Sequence, residues 1–197
     1  MAKIIIILTI QRSGSTALMQ HLRGRKLPNT LVFEELFLKY SVSKTLNQYP
    51  ELQDLLPSKR FCEQDEDVRE YLYNISLGEN VIVFKLMLDQ ITPEIVLFLE
   101  ETPDVKLIFF NRNVIDCARS SARVKLKIND AHKINNKGII EKQVRRNGSF
   151  VSLFSGWYIV KQLYFLQKYK KIINKSLHID YPDFELVHNS IKKMLKL

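Results

Sequence analysis

An almost unbroken apolar run near the start of the chain leads directly into a short polar turn. Residues 4–10 read Ile-Ile-Ile-Ile-Leu-Thr-Ile, and residues 11–16 read Gln-Arg-Ser-Gly-Ser-Thr. A short Ile-rich run bounded by a turn is typical of a strand that is buried on both faces, as strands of parallel sheets are. We therefore predict a buried parallel strand over Lys3–Ile10 and a helix over Ser15–Arg23.

The same alternation of apolar strands and helices continues along the chain. It predicts an α/β fold, with a central parallel sheet flanked by helices and joined by right-handed crossovers. A length of 197 residues with 46% hydrophobic content suits one core, so we expect a single domain over residues 1–197. The other predicted strands are Val81–Met87, Val105–Phe110 and Ser176–Ile179, and the other predicted helices are Asp65–Ile75, a helix starting at Thr92-Pro93-Glu94, Asn113–Lys125, Ser149–Tyr169 and Asp183–Leu195.

The helix predicted over Ser149–Tyr169 is rich in aromatic residues. Trp157, Tyr158, Tyr164 and Phe165 have the spacing of a helix face that packs against a core. We expect them to be buried.

Positive charge is concentrated in one stretch. Residues 106–146 contain eleven Lys or Arg and only three acidic residues, whereas the whole chain has a net charge of +9. Such a field favours a polyanionic ligand, and a nucleic acid, an anionic membrane or a phosphorylated cofactor all fit it. Residues 126–148 lack periodicity and are expected to form a loop or lid, while the role of the basic segment 123–146 stays open.

The cysteines and the N-terminal run bear on the compartment. Cys62 and Cys117 form neither a disulfide framework nor a metal-binding spacing, so we expect no metal. The run at residues 4–10 is too short to span a bilayer, and no small-residue cleavage site follows it. These features predict a cytoplasmic protein without a transmembrane segment.

The turn after the first strand has the composition of an anion-binding loop. Gly14 allows a sharp turn, and the amides that follow it point from a helix N-terminus towards a ligand. Arg12 adds a permanent charge, and Ser13, Ser15 and Thr16 add hydroxyl groups. The loop is not a Walker A motif, because it lacks the second glycine and the lysine.

A second candidate segment follows the strand predicted at Val105–Phe110. Arg112 stands at the strand exit, and Ser120 lies eight residues further along the predicted helix. That spacing lets a helical path bring both side chains near one phosphate group.

Together these two segments resemble the sulfotransferase superfamily that uses 3′-phosphoadenosine 5′-phosphosulfate (PAPS). Arg at position 12 is similar to the carbohydrate and bacterial members, whereas Val114 replaces their usual proline. The resemblance implies a P-loop-like fold and transfer of a sulfuryl group to a hydroxyl of a carbohydrate-like acceptor, with adenosine 3′,5′-bisphosphate as product. It also implies two sets of ligand contacts: Arg12, Ser13, Gly14, Ser15 and Thr16 to the 5′-phosphosulfate, and Arg112 and Ser120 to the 3′-phosphate.

The same resemblance suggests the catalytic groups. Glu34 matches the glutamate of a Phe-Glu-Pro-Leu segment associated with base chemistry or acceptor binding, and Glu35 stands at the proline position as second choice. His132, in the basic segment, is a weaker alternative base, because another branch of the superfamily uses a histidine. Arg12 is expected to stabilise the charge of the transferring group. Lys85, at the end of a predicted strand, either faces the same site or extends to solvent.

Two other functions remain open. A small-molecule kinase would share the loop and fold but is disfavoured by the missing Walker lysine. A nonenzymatic nucleic-acid-binding protein would use the basic segment, but aromatic residues are not interleaved there. A sugar, a lipid headgroup and a phenol stay open as acceptors, as does the oligomeric state.

Overall fold

The computed structural model describes residues 4–37, 68, 70, 72, 80–125 and 148–196. Residues 68, 70 and 72 are helical, and the rest of the helix predicted at Asp65–Ile75 lies outside the described residues, as do Cys62, His132 and most of the basic segment. The described strands are β1 (Ile4–Thr9), β2 (Thr30–Phe33), β3 (Val81–Met87), β4 (Lys106–Asn111) and β5 (Leu177–Asp180). The described helices with continuous bounds are α1 (Ser15–Gly24), α2 (Pro93–Glu101), α3 (Val114–Lys125), α4 (Gly148–Lys168), α5 (Lys170–Asn174) and α6 (Phe184–Leu195), with a short 3-10 helix at Leu88–Gln90.

The five strands form one parallel sheet in the order β2-β3-β1-β4-β5. The apolar N-terminal strand β1 is central: Ile7 pairs with Lys85 on one side and with Ile108 on the other. The predicted α/β fold with a central parallel sheet is therefore confirmed. Because all strands run the same way, the ends of β1, β3 and β4 meet at one edge of the sheet, where such folds bind ligands.

Helices cover both faces of the sheet. On one face, α1 and α6 bury Leu18, Met19 and Ile191 against Ile5 and Ile7 of β1. On the other face, α2, α3, α4 and α5 contribute to a cluster that includes Ile6 and Leu8. The alternate residues of β1 thus face opposite layers, which explains why the whole strand is apolar.

The edge strand β2 is absent from the predicted elements. It has only four residues, Thr30–Phe33, and runs directly into the acidic pair Glu34-Glu35, so its pattern does not stand out from a loop. Its pairing with β3 over Thr30–Phe33 places those two acids at the ligand-binding edge of the sheet.

Side chains cap α2 and α6 at the residues where the sequence predicts that these helices start. The Thr92 hydroxyl accepts a hydrogen bond from the Ile95 amide (3.4 Å) at the start of α2. The Asp183 carboxylate accepts one from the Leu186 amide (2.8 Å) at the start of α6. Each cap satisfies an amide that has no partner within its own helix.

The expected burial of the aromatic residues on α4 is wrong for two of them. Trp157 is 60% exposed and Tyr164 is 58% exposed, whereas Tyr158 is buried. Helical spacing places Trp157 and Tyr164 on one face but does not reveal whether that face points inwards. Across the described residues, the helices include none long and apolar enough to cross a membrane.

Shortening a buried side chain of the central strand β1 should destabilise the protein strongly. Ile7 is fully buried, so Ile7→Ala is expected to lower the free energy of unfolding by about 3 kcal/mol through lost burial and a residual cavity. Urea denaturation measures this. Leu177→Ala on edge strand β5, where Leu177 is 42% exposed, is the control and should change it by less than about 0.5 kcal/mol. Equal effects would contradict the central position of β1.

Candidate phosphate-binding site

The turn between β1 and α1 has an unusual backbone. Arg12 and Gly14 both have positive φ angles, of 63° and 89°. The amide of Leu18 donates to the Gly14 carbonyl (3.2 Å), so α1 starts immediately after Gly14. The amides of the first turn of α1 therefore point out of the sheet edge, where they and the positive end of the helix dipole favour an anion.

Tyr181 explains why residue 14 is glycine. A Cβ atom at this position would lie 2.5 Å from Cε2 and 2.8 Å from Cδ2 of the Tyr181 ring. The positive φ angle disfavours a larger residue as well. The ring of Tyr181 therefore forms one wall of the loop.

The three hydroxyl residues of the loop differ in what they can offer a ligand. Ser13 is fully buried, and its Oγ accepts a hydrogen bond from the Thr9 hydroxyl (2.5 Å). Its side chain thus holds the loop to β1, and its contact with a ligand stays a prediction. Ser15 is also buried, whereas Thr16 is exposed.

The two candidate segments meet at Arg12. Nη1 of Arg112, at the end of β4, donates to the Arg12 carbonyl (3.2 Å). Nε of Arg12 lies 3.4 Å from Oγ of Ser120 on α3. The guanidinium of Arg112 also lies over the Tyr181 ring, 4.4 Å from its centroid. Arg112 therefore joins the ends of β1, β4 and β5.

Within the part of the chain that the structure describes, the positive charge at this junction has no carboxylate partner, because neither Arg12 nor Arg112 forms an ion pair there. A guanidinium group without an acidic partner attracts an anion, and each can donate two parallel hydrogen bonds to phosphate oxygens.

Lys85 supplies a third cation beside the loop. It is 2% exposed, and its Nζ lies 2.8 Å from Oε1 of Glu35 and 3.3 Å from Oγ1 of Thr16. Glu35 also accepts a hydrogen bond from Nε2 of Gln90 (3.1 Å). Lys85 therefore faces the loop and does not extend to solvent, which were the two alternatives that the sequence left open.

Glu34 is directed elsewhere. Its Oε1 lies 3.1 Å from Nη1 of Arg23, whose Nε donates to the Val32 carbonyl (3.0 Å). Arg23 belongs to the last turn of α1, about 13 Å along the helix axis from Gly14. The arrangement therefore ties Glu34 to the end of α1 that is remote from the turn between β1 and α1.

A polar network supports the start of the loop. Nε2 of Gln11 donates to Oδ2 of Asp89 (2.5 Å), which lies 3.3 Å from Nζ of Lys161 on α4. The Tyr158 hydroxyl donates to the Gln11 carbonyl, and burial raises the pKa of this phenol. Tyr158 thus stays a neutral donor that fixes the backbone before Arg12.

Cys117 has no reactive character in this setting. It is fully buried on α3, and burial raises the pKa of its thiol to about 11. A protonated, inaccessible thiol serves packing rather than nucleophilic chemistry. Within the described ranges, His, Cys, Asp and Glu side chains form no group that suits a metal ion.

The structure thus brings together Arg12, Gly14, Thr16, Arg112 and Ser120 of the predicted site. The sequence interpretation did not include Tyr181, Tyr158 and Gln11 as parts of it. Their contacts join residues far apart in the chain, for example Tyr158 to Gln11. The only sequence signal for Tyr181 is its place just after a predicted strand.

Comparisons with known proteins add little. No protein-family model matches the chain, and no curated protein matches it. Among solved structures, a shikimate kinase from Bacteroides thetaiotaomicron is similar with a TM-score of 0.47 and 16% sequence identity, over 98% of each chain. A likeness of that size says nothing about the substrate of this chain.

Replacing Gly14 should damage the loop, whereas replacing Gly24 should not. Gly14→Ala introduces a Cβ into the Tyr181 ring at a positive φ angle, and we expect a loss of about 2 kcal/mol in the free energy of unfolding. No atom lies within 4 Å of a Cβ built at Gly24, so Gly24→Ala should be neutral or stabilising. Urea denaturation compares the two variants.

The double variant Gly14→Ala/Tyr181→Ala separates the two causes. Compared with Tyr181→Ala alone, the double variant should lose only the part of the free energy of unfolding that is due to the backbone angle, because the clash with the ring is gone. A Gly14→Ala protein as stable as Gly24→Ala would show that Tyr181 does not form the wall of the loop.

Proposed function

We propose that this protein is a sulfotransferase that moves a sulfuryl group from PAPS to the hydroxyl of an acceptor. The observation that carries the proposal is the contact between the two arginine segments. A nucleotide with phosphates at both the 5′ and 3′ positions needs two anion sites at one sheet edge. The hydrogen bond of Arg112 to the Arg12 carbonyl and the approach of Arg12 to Ser120 support the proposal, because they bring the two segments together at that edge.

The groups present fit such a ligand. The amides at the start of α1 and the Arg12 side chain are suited to the 5′-phosphosulfate, and Arg112 with Ser120 is suited to the 3′-phosphate. Neither arginine is neutralised by a carboxylate of the described residues, so within that part of the chain a polyanion would not displace an ion pair of either arginine.

The chain contributes positioning and charge stabilisation. When bound, PAPS supplies an activated sulfuryl group and a phosphate leaving group. In this proposal Arg12 and Lys85 stabilise the negative charge that develops on the leaving oxygen, and Arg stays charged throughout. Thr16, 3.3 Å from Nζ of Lys85, holds that ammonium at the loop.

The geometry favours Glu35 over Glu34 as the group that accepts the acceptor's proton. Glu35 is joined to the loop through Lys85 and Thr16, whereas Glu34 is paired with Arg23. This reverses the order of preference that the sequence suggests. A base must lie within reach of the reacting hydroxyl, and the contact of Glu35 with Lys85 beside the loop supports this role for Glu35.

Binding of adenosine 3′,5′-bisphosphate tests the proposal directly. Arg112→Ala should raise the dissociation constant for this nucleotide by about 10- to 100-fold, because charge-assisted hydrogen bonds to the 3′-phosphate are lost. Binding of adenosine 5′-monophosphate, which has no 3′-phosphate, should weaken less, because this ligand loses only the indirect support that Arg112 gives to the Arg12 backbone. Isothermal calorimetry measures both.

The matched control is Arg119→Ala. Arg119 lies on the same helix as Ser120 and pairs with Asp116 at the surface (3.4 Å), so its loss should leave both affinities within about twofold. A wild-type protein that binds the two nucleotides equally would rule out a 3′-phosphate site.

A small-molecule kinase is the second candidate, and one arrangement favours it. The buried ammonium of Lys85 beside Thr16 places a cation at the phosphate loop from a neighbouring strand, although the loop itself lacks the Walker lysine. Tighter calorimetric binding of ATP with Mg²⁺ than of adenosine 3′,5′-bisphosphate would select the kinase.

Turnover of the two glutamate variants tests the choice of base. Glu35→Gln should lower kcat by at least about 100-fold while adenosine 3′,5′-bisphosphate still binds, and Glu34→Gln should retain most activity. The measurement is sulfuryl transfer from PAPS to a panel of sugar, lipid and phenol acceptors. A Glu34→Gln protein that binds the nucleotide but does not turn over would return the base to Glu34.

A further inference from the structure

Helix α4 presents an apolar stripe to solvent. From Leu153 to Tyr164, its exposed positions are all uncharged, and they are Leu153, Gly156, Trp157, Val160, Leu163 and Tyr164. Leu153 is 76% exposed and Val160 is 67% exposed. The stripe runs about 17 Å along the helix. Contiguous exposed apolar surface of this kind marks an interaction site.

The opposite face of α4 packs against the rest of the protein. Tyr158 is buried and its hydroxyl donates to the Gln11 carbonyl, while Lys161 reaches Asp89. Just beyond the helix, the Tyr169 hydroxyl donates to the Ile91 carbonyl (3.0 Å). These contacts prevent α4 from rotating to bury the stripe, so the stripe needs a partner from outside this packing.

Basic residues follow the stripe at its C-terminal end. Lys168, Lys170, Lys171 and Lys175 are all exposed. Lys168 lies beside the stripe, with its Nζ 5.9 Å from the centroid of the Tyr164 ring. Across Leu153–Lys175 the exposed surface therefore changes from apolar and aromatic to strongly cationic.

We infer that α4 docks the protein onto an anionic lipid surface. An interfacial helix buries Leu, Val and Trp side chains at the level of the acyl boundary and places Lys side chains against the phosphate headgroups. The uncharged stripe and the adjoining lysines match those two layers. This inference does not depend on the proposed function.

Other occupants match the surface less well. A second copy of the chain would bring the same lysine cluster, and residues 149–176 include no acidic residue to compensate it. A nucleic acid would leave the aliphatic residues of the stripe without an apolar partner. A lipid surface satisfies both halves of the helix at once, because it offers hydrocarbon and negative charge in adjacent layers.

The single tryptophan of the chain makes the test direct, since Trp157 lies in the stripe. Its emission should be that of a solvent-exposed indole in the free protein. It should shift to shorter wavelength on addition of vesicles made of equal parts phosphatidylserine and phosphatidylcholine. Vesicles of phosphatidylcholine alone should bind much more weakly, and high salt should reverse the binding.

Two variants and one control separate the contributions. Val160→Asp should weaken vesicle binding by about tenfold or more, and Lys168→Gln/Lys170→Gln/Lys171→Gln should weaken it on the order of a hundredfold. Leu97→Asp, at a 55% exposed apolar position on α2, should bind vesicles like the wild type. Circular dichroism and urea denaturation check that each variant is folded.

Three results would overturn the inference. One is unchanged emission with phosphatidylserine vesicles. Another is a buried-type emission already present in the free protein, which would mean that another part of the chain or a second copy covers the stripe. The third is a Leu97→Asp defect equal to that of Val160→Asp. Failure of the wild-type protein to bind adenosine 3′,5′-bisphosphate would count against the proposed function but not against this inference.

Discussion

The hydrogen bond from Arg112 to the Arg12 carbonyl is the contact on which the site depends. It joins the end of β4 to the turn that follows β1, two segments that are 100 residues apart in sequence. It holds a residue with a positive φ angle in place. It also brings the side chain of Arg112 against the backbone of Arg12, so the two arginine segments share one edge of the sheet.

A second constraint is the burial of charge beneath the loop. Lys85 is almost fully buried on a central strand, and the carboxylate of Glu35 compensates its charge at 2.8 Å. A buried ion pair contributes little net stability, but removal of one partner is costly. Pairing of this kind at a sheet edge fixes the direction of both side chains. It therefore keeps an ammonium and a carboxylate within reach of Thr16.

Much of the fold follows from local patterns. The Ile-rich run, the helix start at Thr92 and the segment after β4 all predict elements that the structure contains, with boundaries that differ by one or two residues. The exceptions are informative. The edge strand β2 is too short to carry a signal, and the aromatic spacing on α4 is equally compatible with a buried and an exposed face.

Within the candidate site, local sequence was sufficient for the residues that follow strands, such as Arg12, Gly14 and Arg112, because parallel strands always end at the same edge. It was insufficient for Tyr181, which reaches Gly14 and Arg112 from β5, and for the choice between Glu34 and Glu35. Adjacent residues at the end of a strand point to opposite sides, so a one-residue difference decides which carboxylate meets Lys85. The sequence by itself determined the parallel sheet and the sharp turn between β1 and α1, through hydrophobic periodicity and glycine geometry. Only the tertiary structure decided which side chains share that turn, because those contacts depend on packing between segments distant in the chain.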